Sequence, residues 1–381
     1  MASRKTIAFL TGASGDWGGA SRVVYTTIEL LDRTRFEPLV LLPAEGPIEP
    51  RLKALGVRYV VWGELREPRS VLGHARDVAA AIRLLRAHRV DLLDVNFRFW
   101  RPAEVLAAWL LRIPIVTHYH VVNAKWGPYI SLSSAIVPVS QFTADQSGPP
   151  QVPKVVVPNS VVPERFDRAH EVRESLGLAP DHVVFSFVGQ IREIKGVDLF
   201  ISMAHALPGE SLRFLIIGEC RDPAKFHGSY TEERVRAEIG ADPRIRYLGY
   251  RSDVANIFRS SDVIVAPSRW GEPLGLVNLE AGAARKPMLA ARDGGVPEVI
   301  VHGENGFLVE RDDLDALARY ASLLAGDRAL REAMGARGRA LVEERFGAAP
   351  VRKLERLYNA LLEGESLRDT SMAAAKVVRT L

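Results

Sequence analysis

Two carboxylates around one short turn set the chemistry open to this chain. The segment Trp270-Gly-Glu-Pro-Leu-Gly-Leu-Val-Asn-Leu-Glu280 places Glu272 and Glu280 eight residues apart, on either side of a predicted helix start. Residues 276–284 read as helix, with Gly275 just ahead of them. The first-turn amides of such a helix have no intrahelical partner and its dipole is positive there, so an anion is held at that end. Helical side chains lean toward the N-terminus, so Glu280, about one turn in, reaches a group one sugar ring from that anion. Glu272 lies in the preceding loop, on the anion's other side. A carboxylate accepts two parallel hydrogen bonds and so suits vicinal hydroxyls. Hydroxyls on both sides of a diphosphate describe a nucleotide sugar.

A second turn points to the same ligand. Gly189-Gln-Ile-Arg-Glu-Ile-Lys-Gly196 follows a predicted strand, and a helix begins near Val197. Arg192 and Lys195 then stand at a helix N-terminus, where the dipole disfavours cations unless an anion occupies the spot. Each charge-assisted bond from such a cation is worth about 1.5–3 kcal/mol. The plainer alternative pairs Glu193 with one of them on a solvated turn. Leu10-Thr-Gly-Ala-Ser-Gly-Asp-Trp-Gly-Gly-Ala20 is a glycine-rich turn after the first strand, and Gly18 and Gly19 let a phosphate or sugar approach bare backbone. The same turn resembles that of short-chain dehydrogenases, but Asp16 stands where that pattern needs glycine. No Tyr-x-x-x-Lys pair occurs either, so hydride transfer is a poor fit. His118 and His120 share one face of the strand that begins at Ile113. His120, at the carboxyl end, is the one placed to meet a ligand, whereas His118 reads as a hydrogen-bonded packing residue. No matched third ligand accompanies them, so no metal is expected. Gly294-Gly-Val-Pro-Glu298 either adds amides near the ligand or is a tight turn. Trp17, Trp100, Trp126 and Trp270 fall on predicted loops, where their faces suit a sugar or simple burial.

The elements that must position these groups alternate throughout. Residues 6–10, 39–42, 58–61, 91–95, 113–117, 135–139 and 154–157 read as strands, with helices at 22–31, 71–87 and 103–111. A second series has strands at 183–188, 212–217, 245–248, 263–266 and 287–290. Residues beyond about 311 read as helices at 314–324, 330–343 and 351–362. Apolar strands joined by helical crossovers imply parallel sheets covered on both faces. The break falls in Val157-Pro-Asn-Ser-Val-Val-Pro163, where two prolines and an Asn-Ser pair end a strand. Two parallel-sheet domains facing a cleft result, with ligand outside the carboxyl ends of the strands.

The bulk numbers narrow the class. The chain has 381 residues, 47% hydrophobic and 25% charged, as a globular protein of two domains has. The single Cys220 excludes an internal disulfide and fits a reducing compartment, so a cytoplasmic protein is expected. No apolar run reaches membrane-span length. Residues 1–10 mimic a signal peptide but are too short in apolar length, and read as a strand. Net charge is +6 over residues 1–165 and −2 over the rest. Arg76, Arg83, Arg86 and Arg89 lie on one predicted helix, either as a solvated face or as a contact to an anionic acceptor or the anionic inner face of a membrane. Nucleic acid is not expected, since no motif or basic–aromatic interleaving accompanies the charge.

Taken together, Glu272-x7-Glu280, Gly189 to Gly196, Pro267-Ser268, Gly294-Gly295-Val-Pro-Glu298, Pro158-Asn159, Gly18-Gly19 and His120 resemble the retaining glycosyltransferases of family four (glycosyl transferases group 1). The resemblance covers about residues 6 to 345, more strongly in the second domain. It implies an α/β GT-B fold with an acceptor-side domain at 1–163, a donor-side domain at 164–345, a helix at 346–364 returning to the first domain, and a tail at 365–381. It implies that Glu280 binds ribose hydroxyls, Glu272 binds sugar hydroxyls, and amides near Gly275, Leu276 and Val277 hold phosphate and sugar oxygens. Lys195 would neutralise the leaving diphosphate, His120 would contact the donor sugar near its C6 hydroxyl, and Gly18 and Gly19 would lie beside the diphosphate. The family commonly has Arg where this chain has Gln190; Arg192 either replaces it or points elsewhere. Ser160 replaces a usual Gly. Tyr250 and Arg251 are candidates to touch the base. The implied activity is retaining, metal-independent hexosyl transfer from a nucleotide-diphosphate sugar, a UDP-sugar first and GDP-mannose next, to an acceptor hydroxyl, with no cofactor besides that donor. The alternatives are a nucleotide-sugar epimerase of the same fold and a non-catalytic nucleotide-sugar-binding protein.

Overall fold

The computed structural model describes residues 4–15, 19–63, 70–96, 102–122, 125–365 and 367. The chain divides into two compact units: Met1–Ser160 with Ala348–Leu381 form unit 1, and Val161–Gly347 form unit 2. Unit 1 carries β1 (Lys5–Thr11), β2 (Phe36–Leu42), β3 (Arg58–Val61), β4 (Leu92–Asn96), β5 (Ile115–Tyr119) and β6 (Ala135–Pro138). They form one parallel sheet in the order β3-β2-β1-β4-β5-β6. Unit 2 carries β7 (Val183–Val188), β8 (Leu212–Ile217), β9 (Ile245–Gly249), β10 (Val263–Ala266), β11 (Met288–Ala291) and β12 (Gly306–Val309). These are also parallel, in the order β12-β11-β10-β7-β8-β9. Numbered within its own unit, each sheet runs 3-2-1-4-5-6. The order reverses between β1 and β4 in unit 1 and between β7 and β10 in unit 2. Ligands of such sheets sit beyond the carboxyl ends of the strands at the reversal.

Alternation along each strand feeds two cores. From β1, Ile7 and Phe9 join a cluster with Ile28, Phe36 and Val116, while Ala8 and Leu10 join Val78, Ala81, Leu85 and Val105 on the other face. The helix Ala349–Leu362 returns to unit 1, where Val351, Leu354, Leu357, Tyr358 and Leu361 complete the first of these clusters. Their spacing of three and four residues is one helix face. The tail after it, beyond Glu365, lies outside the described residues except for Leu367.

One expected strand is corrected. Residues 154–157 run beside β6, with Ile136 N–H donating to Pro153 O at 2.8 Å, Val155 N–H to Ile136 O at 2.9 Å and Val157 N–H to Pro138 O at 3.0 Å. Only an isolated bridge, Ile136 to Lys154, forms. The next bond of a parallel ladder needs an N–H from Pro138, which proline lacks.

In unit 2 the helix that carries Glu280, Leu276–Ala283, is packed by glycines and tied by a buried arginine. A Cβ on Gly282 would lie 2.8 Å from Val342 Cγ2, and one on Gly335 would lie 2.1 Å from Arg285 O. Arg339, 5% exposed, donates to Ala283 O at 2.8 Å and to both oxygens of Asp167 at 2.9 and 2.6 Å. A cation at the carboxyl end of that helix complements its dipole. In unit 1 the helix Val71–Ala87 starts at Ser70, whose hydroxyl accepts from Gly73 N–H, and buries Val78, Ala81 and Leu85. Arg76, Arg83 and Arg86 on this helix are exposed, as are Val71 and Leu72 at its first turn; Arg89, expected on the same helix, is exposed but lies two residues past its end at φ 52°. Among the described residues no helix is long and apolar enough to cross a membrane.

The glycine packing gives a direct test. Gly335→Ala should lower stability by about 1–3 kcal/mol through backbone overpacking, read as a lower urea midpoint. Gly326→Ala, where a Cβ meets nothing within 4 Å, should leave the midpoint unchanged or raised. Equal midpoints for the two variants would contradict this account.

Candidate active site

Unit 2 brings two loops together where its strand order reverses. One, 189–196, leaves β7; the other, 267–275, leaves β10. Gly196 has φ 73°, and a Cβ there would lie 2.1 Å from Pro267 O, so only glycine lets the loops meet. Arg269 fastens them. Its N–H donates to Ile194 O at 2.8 Å, and its guanidinium binds Glu193 O at 3.0 Å and both oxygens of Asp198 at 2.6 Å. Asp312 takes the remaining Nε–H at 2.5 Å. The turn at Gly294-Gly295 supports the second loop from below: a Cβ on Gly294 would lie 2.2 Å from Glu272 O, and Gly295 N–H donates to that oxygen at 2.7 Å. This turn therefore positions Glu272.

Lys195 and Glu272 meet as a result. Lys195 Nζ donates to Glu272 Oε1, and Ser268 Oγ donates to the same oxygen at 2.9 Å. Trp270 lies beside the ammonium, 5.1 Å from ring centroid to Nζ, a cation–π distance. The pair is neither buried nor open, with side-chain exposures of 22% and 13%. The helix Leu276–Ala283 enters through Gly275 at φ 77°, and Asn278 closes the turn, its N–H on Gly275 O at 3.0 Å and its side-chain amide on Leu274 O at 3.1 Å. The first turn holds Leu276 and Val277 and no acidic residue, so no side chain of that turn offsets its positive end. Glu280 is buried at 5% exposure. Trp270 Nε1 and Asn278 Oδ1 are buried without hydrogen-bond partners, two polar atoms on the same loop and helix that call for a ligand or water.

The other donor-side candidates are placed differently. Arg192 turns away: it bridges to Ser229, and its guanidinium donates to His227 O at 2.8 Å. Gln190 is exposed and contributes its backbone carbonyl to Arg192 N–H at 2.9 Å. Tyr250 is 50% exposed, and Arg251 is held by Asp253 at 2.8 and 2.6 Å.

In unit 1 the reversal point carries a polar chain. Asp94 on β4 is fully buried and accepts from Asn96 Nδ2, from His118 Nε2 at 2.9 Å and from the Tyr358 hydroxyl. Because Asn96 gives its NH₂ to the carboxylate, its Oδ1 is left to face His120 Nε2 at 3.0 Å. The His120 proton then sits on Nε2, and Nδ1, buried and without a partner among the described residues, is an acceptor. Burial, with the stacked His118 ring 5.7 Å away, lowers the His120 pKa from 6.5 to about 3, so the imidazole is neutral. Gly19 opens the helix Gly19–Leu30 with nothing within 4 Å of its Cβ position. Gly18, Trp17 and Trp100 lie outside the described residues. Among the described residues, no three His, Cys, Asp or Glu side chains converge. Asp94, Asn96, Tyr358 and Arg269 were not singled out from sequence; a carboxylate inside the apolar run of β4 was the available signal for the first.

Known proteins match both units. The family model described as Glycosyl transferases group 1 matches residues 169–341, and the model Glycosyltransferase Family 4 matches residues 17–165. A lipopolysaccharide core biosynthesis mannosyltransferase of Rhizobium meliloti is 30% identical over 285 residues, 70% of this chain and 80% of that protein. A D-inositol 3-phosphate glycosyltransferase of Corynebacterium glutamicum is 33% identical over 208 residues, 53% of this chain; the match spans about half, 49%, of that relative. Among solved structures, an Anabaena protein in complex with UDP and glucose superposes with a TM-score of 0.78 at 21% identity, over 94% of this chain and all of that one. A glycosyltransferase from Rickettsia africae gives 0.80 at 19% identity, over 94% of this chain and 99% of its own. These structural likenesses carry the fold, and the Rhizobium relative carries the lineage: the chain belongs to the group 1, family 4 glycosyltransferases and has the two Rossmann-like α/β domains of GT-B proteins.

Proposed function

We propose that the chain transfers a hexosyl unit from a nucleotide-diphosphate sugar to an acceptor hydroxyl, with retention at the anomeric carbon and without a metal. The observation that carries this reading is the Lys195–Glu272 pair at the strand-order reversal of unit 2, beside a helix start with no acidic residue. Lys195 Nζ has donors beyond the one given to Glu272 and can neutralise a departing diphosphate. Glu272 and the buried Glu280 supply acceptors for sugar and ribose hydroxyls, and the amides near Gly275, Leu276 and Val277 supply donors for phosphate. His120 of unit 1, neutral and bare at Nδ1, accepts a hydroxyl of the donor sugar. The anomeric carbon–oxygen bond to phosphate breaks as the acceptor oxygen bonds on the same face, and the acceptor proton passes to the leaving phosphate oxygen. The protein's part is positioning and stabilisation of the charge that develops on that oxygen.

A UDP-sugar is favoured as donor because the Anabaena neighbour was solved with UDP-glucose as well as with UDP. GDP-mannose comes next, since the Rhizobium relative is a mannosyltransferase. The acceptor belongs to glycan, glycolipid or glycoside synthesis. The exposed Arg76, Arg83 and Arg86, with Val71 and Leu72 at the first turn of their helix and Arg89 just past its end, support an acceptor that is anionic or embedded in an anionic membrane surface.

Four outcomes follow from this reading. A panel of nucleotides and nucleotide sugars, without metal, should raise the melting midpoint for one base series, an effect lost in Glu280→Ala; Lys195→Ala should fold yet turn over at least about 100-fold more slowly. A folded Lys195→Ala protein of normal turnover would refute the role given to that cation. His120 contributes a pH dependence of known sign: the unfolded chain takes a proton at 6.5 that the folded chain refuses down to about 3, so acid costs stability through that window. His120→Asn should therefore lose less stability than the parent between about pH 7 and about pH 5, where urea midpoints are compared. Finally, vesicles of anionic lipid should pellet the protein at low salt and release it at high salt. Failure to bind them at low salt, or equal binding by a variant with Arg76, Arg83, Arg86 and Arg89 changed to Gln, removes the membrane from the acceptor argument.

A further inference from the structure

Glu272 stands in two relations at once. On the function proposed above it takes hydroxyls of the transferred sugar while Lys195 takes the diphosphate. In the structure, however, the two are bonded to each other. Lys195 Nζ and Ser268 Oγ both donate to Oε1, and among the described residues Oε2 accepts no hydrogen bond. The carboxylate is held in place from the main chain as well, through Gly295 N–H on Glu272 O at 2.7 Å and the close passage of Gly294. It is therefore a fixed negative charge in contact with the ammonium. The neighbouring cation Arg269 is already taken by Asp198 and Asp312, and Arg192 is turned to His227 O.

A fixed carboxylate beside a cation cancels much of the field an arriving anion would feel. A free nucleoside diphosphate meets this near-neutral pair and gains nothing from Glu272. A nucleotide-diphosphate sugar meets the same pair, but brings hydroxyls that donate to the open Oε2. The carboxylate thus weakens the hold on the phosphates in both ligands and repays it in only one. We infer that Glu272 acts through Lys195 as a counter-charge that makes this site prefer a nucleotide-diphosphate sugar over the free nucleoside diphosphate, so that loss of the sugar loosens the product. Discrimination here is a difference of two affinities, one raised and one lowered by the same group. This rests on the donor-site reading of unit 2.

The test is a titration by calorimetry with inorganic diphosphate, UDP, GDP and UDP-glucose against the parent, Glu272→Gln, Glu272→Ala, Lys195→Gln and the Glu272→Gln/Lys195→Gln double variant. Melting midpoints identify which variants are folded, and either folded Glu272 variant decides the question. Removing the charge should tighten inorganic diphosphate and the matching nucleoside diphosphate by about tenfold, and lower the inhibition constant for that product by a similar factor. Affinity for the nucleotide sugar should gain less or fall, and turnover should drop. In the Lys195→Gln background, removing Glu272 should change diphosphate affinity by no more than about twofold, because the effect runs through the cation. Unchanged or weaker diphosphate binding in Glu272→Gln, with Lys195→Gln still weakening it, would overturn the counter-charge while leaving the donor site intact. A full tenfold gain that persists without Lys195 would overturn the route through the cation. If neither the parent nor any folded variant binds a diphosphate or a nucleotide sugar, the donor site itself is wrong, and the inference falls with it.

Discussion

Close passage of one main chain past another, permitted only by glycine, is the constraint on which the candidate site of unit 2 depends. Gly196 lies against Pro267, Gly294 lies against Glu272, and Gly218 lies against Gly189, where a Cβ would sit 1.8 Å from the carbonyl oxygen. Each contact joins a different loop at the carboxyl ends of the unit 2 strands. Because the loops touch through backbone, the residues that carry the candidate side chains inherit their positions from the sheet. Arg269 then converts contact into attachment, tying the loop after β7 to the loop after β10 through Ile194, Glu193 and Asp198. The cation and carboxylate that follow from this are placed by Gly196, Gly294, Gly295 and Arg269.

Unit 1 solves a similar problem by a buried charge. Asp94 has no exposure, and such a carboxylate is tolerable only if its acceptor positions are filled. Asn96, His118 and Tyr358 fill them. Satisfying Asp94 fixes which way the Asn96 amide faces, and that in turn fixes which nitrogen of His120 carries the proton. A demand made in the core is thereby expressed as a hydrogen-bonding preference at the surface of the sheet.

Much of this was legible in the chain. Apolar runs marked eleven of the twelve strands among the described residues, β1 to β11, because parallel sheets bury both faces, and two of the helix starts, at Val71 and Val197, fell where cap and turn residues announced them. The extra strand at 154–157 was over-read because periodicity does not register that the partner, Pro138, cannot donate. Lys195 and Glu272 were each singled out in the sequence, beside glycines. That they bind one another was not legible, since 77 positions separate them and only the sheet order brings their loops together. Arg192 was misleading for the same reason: its spacing from Lys195 is local, but its partner, His227, comes from a distant loop. Tyr358 lay beyond any local pattern, 264 residues from the carboxylate it serves.

That last separation bears on the order in which the molecule is made. Unit 2 is a single continuous stretch, Val161–Gly347, and every residue of its core has been synthesised before the helix Ala349–Leu362 exists. Unit 1 is discontinuous, and part of its core lies beyond unit 2 in the sequence. Until that helix arrives, the apolar face shared by Ile7, Phe9 and Ile28 lacks Val351, Leu354, Leu357 and Tyr358, and Asp94 lacks one of its three donors. Domains ordinarily fold as units in the order of synthesis. Here the core of unit 1 is complete only once Val351, Leu354, Leu357 and Tyr358, which lie beyond all of unit 2 in the sequence, have been made.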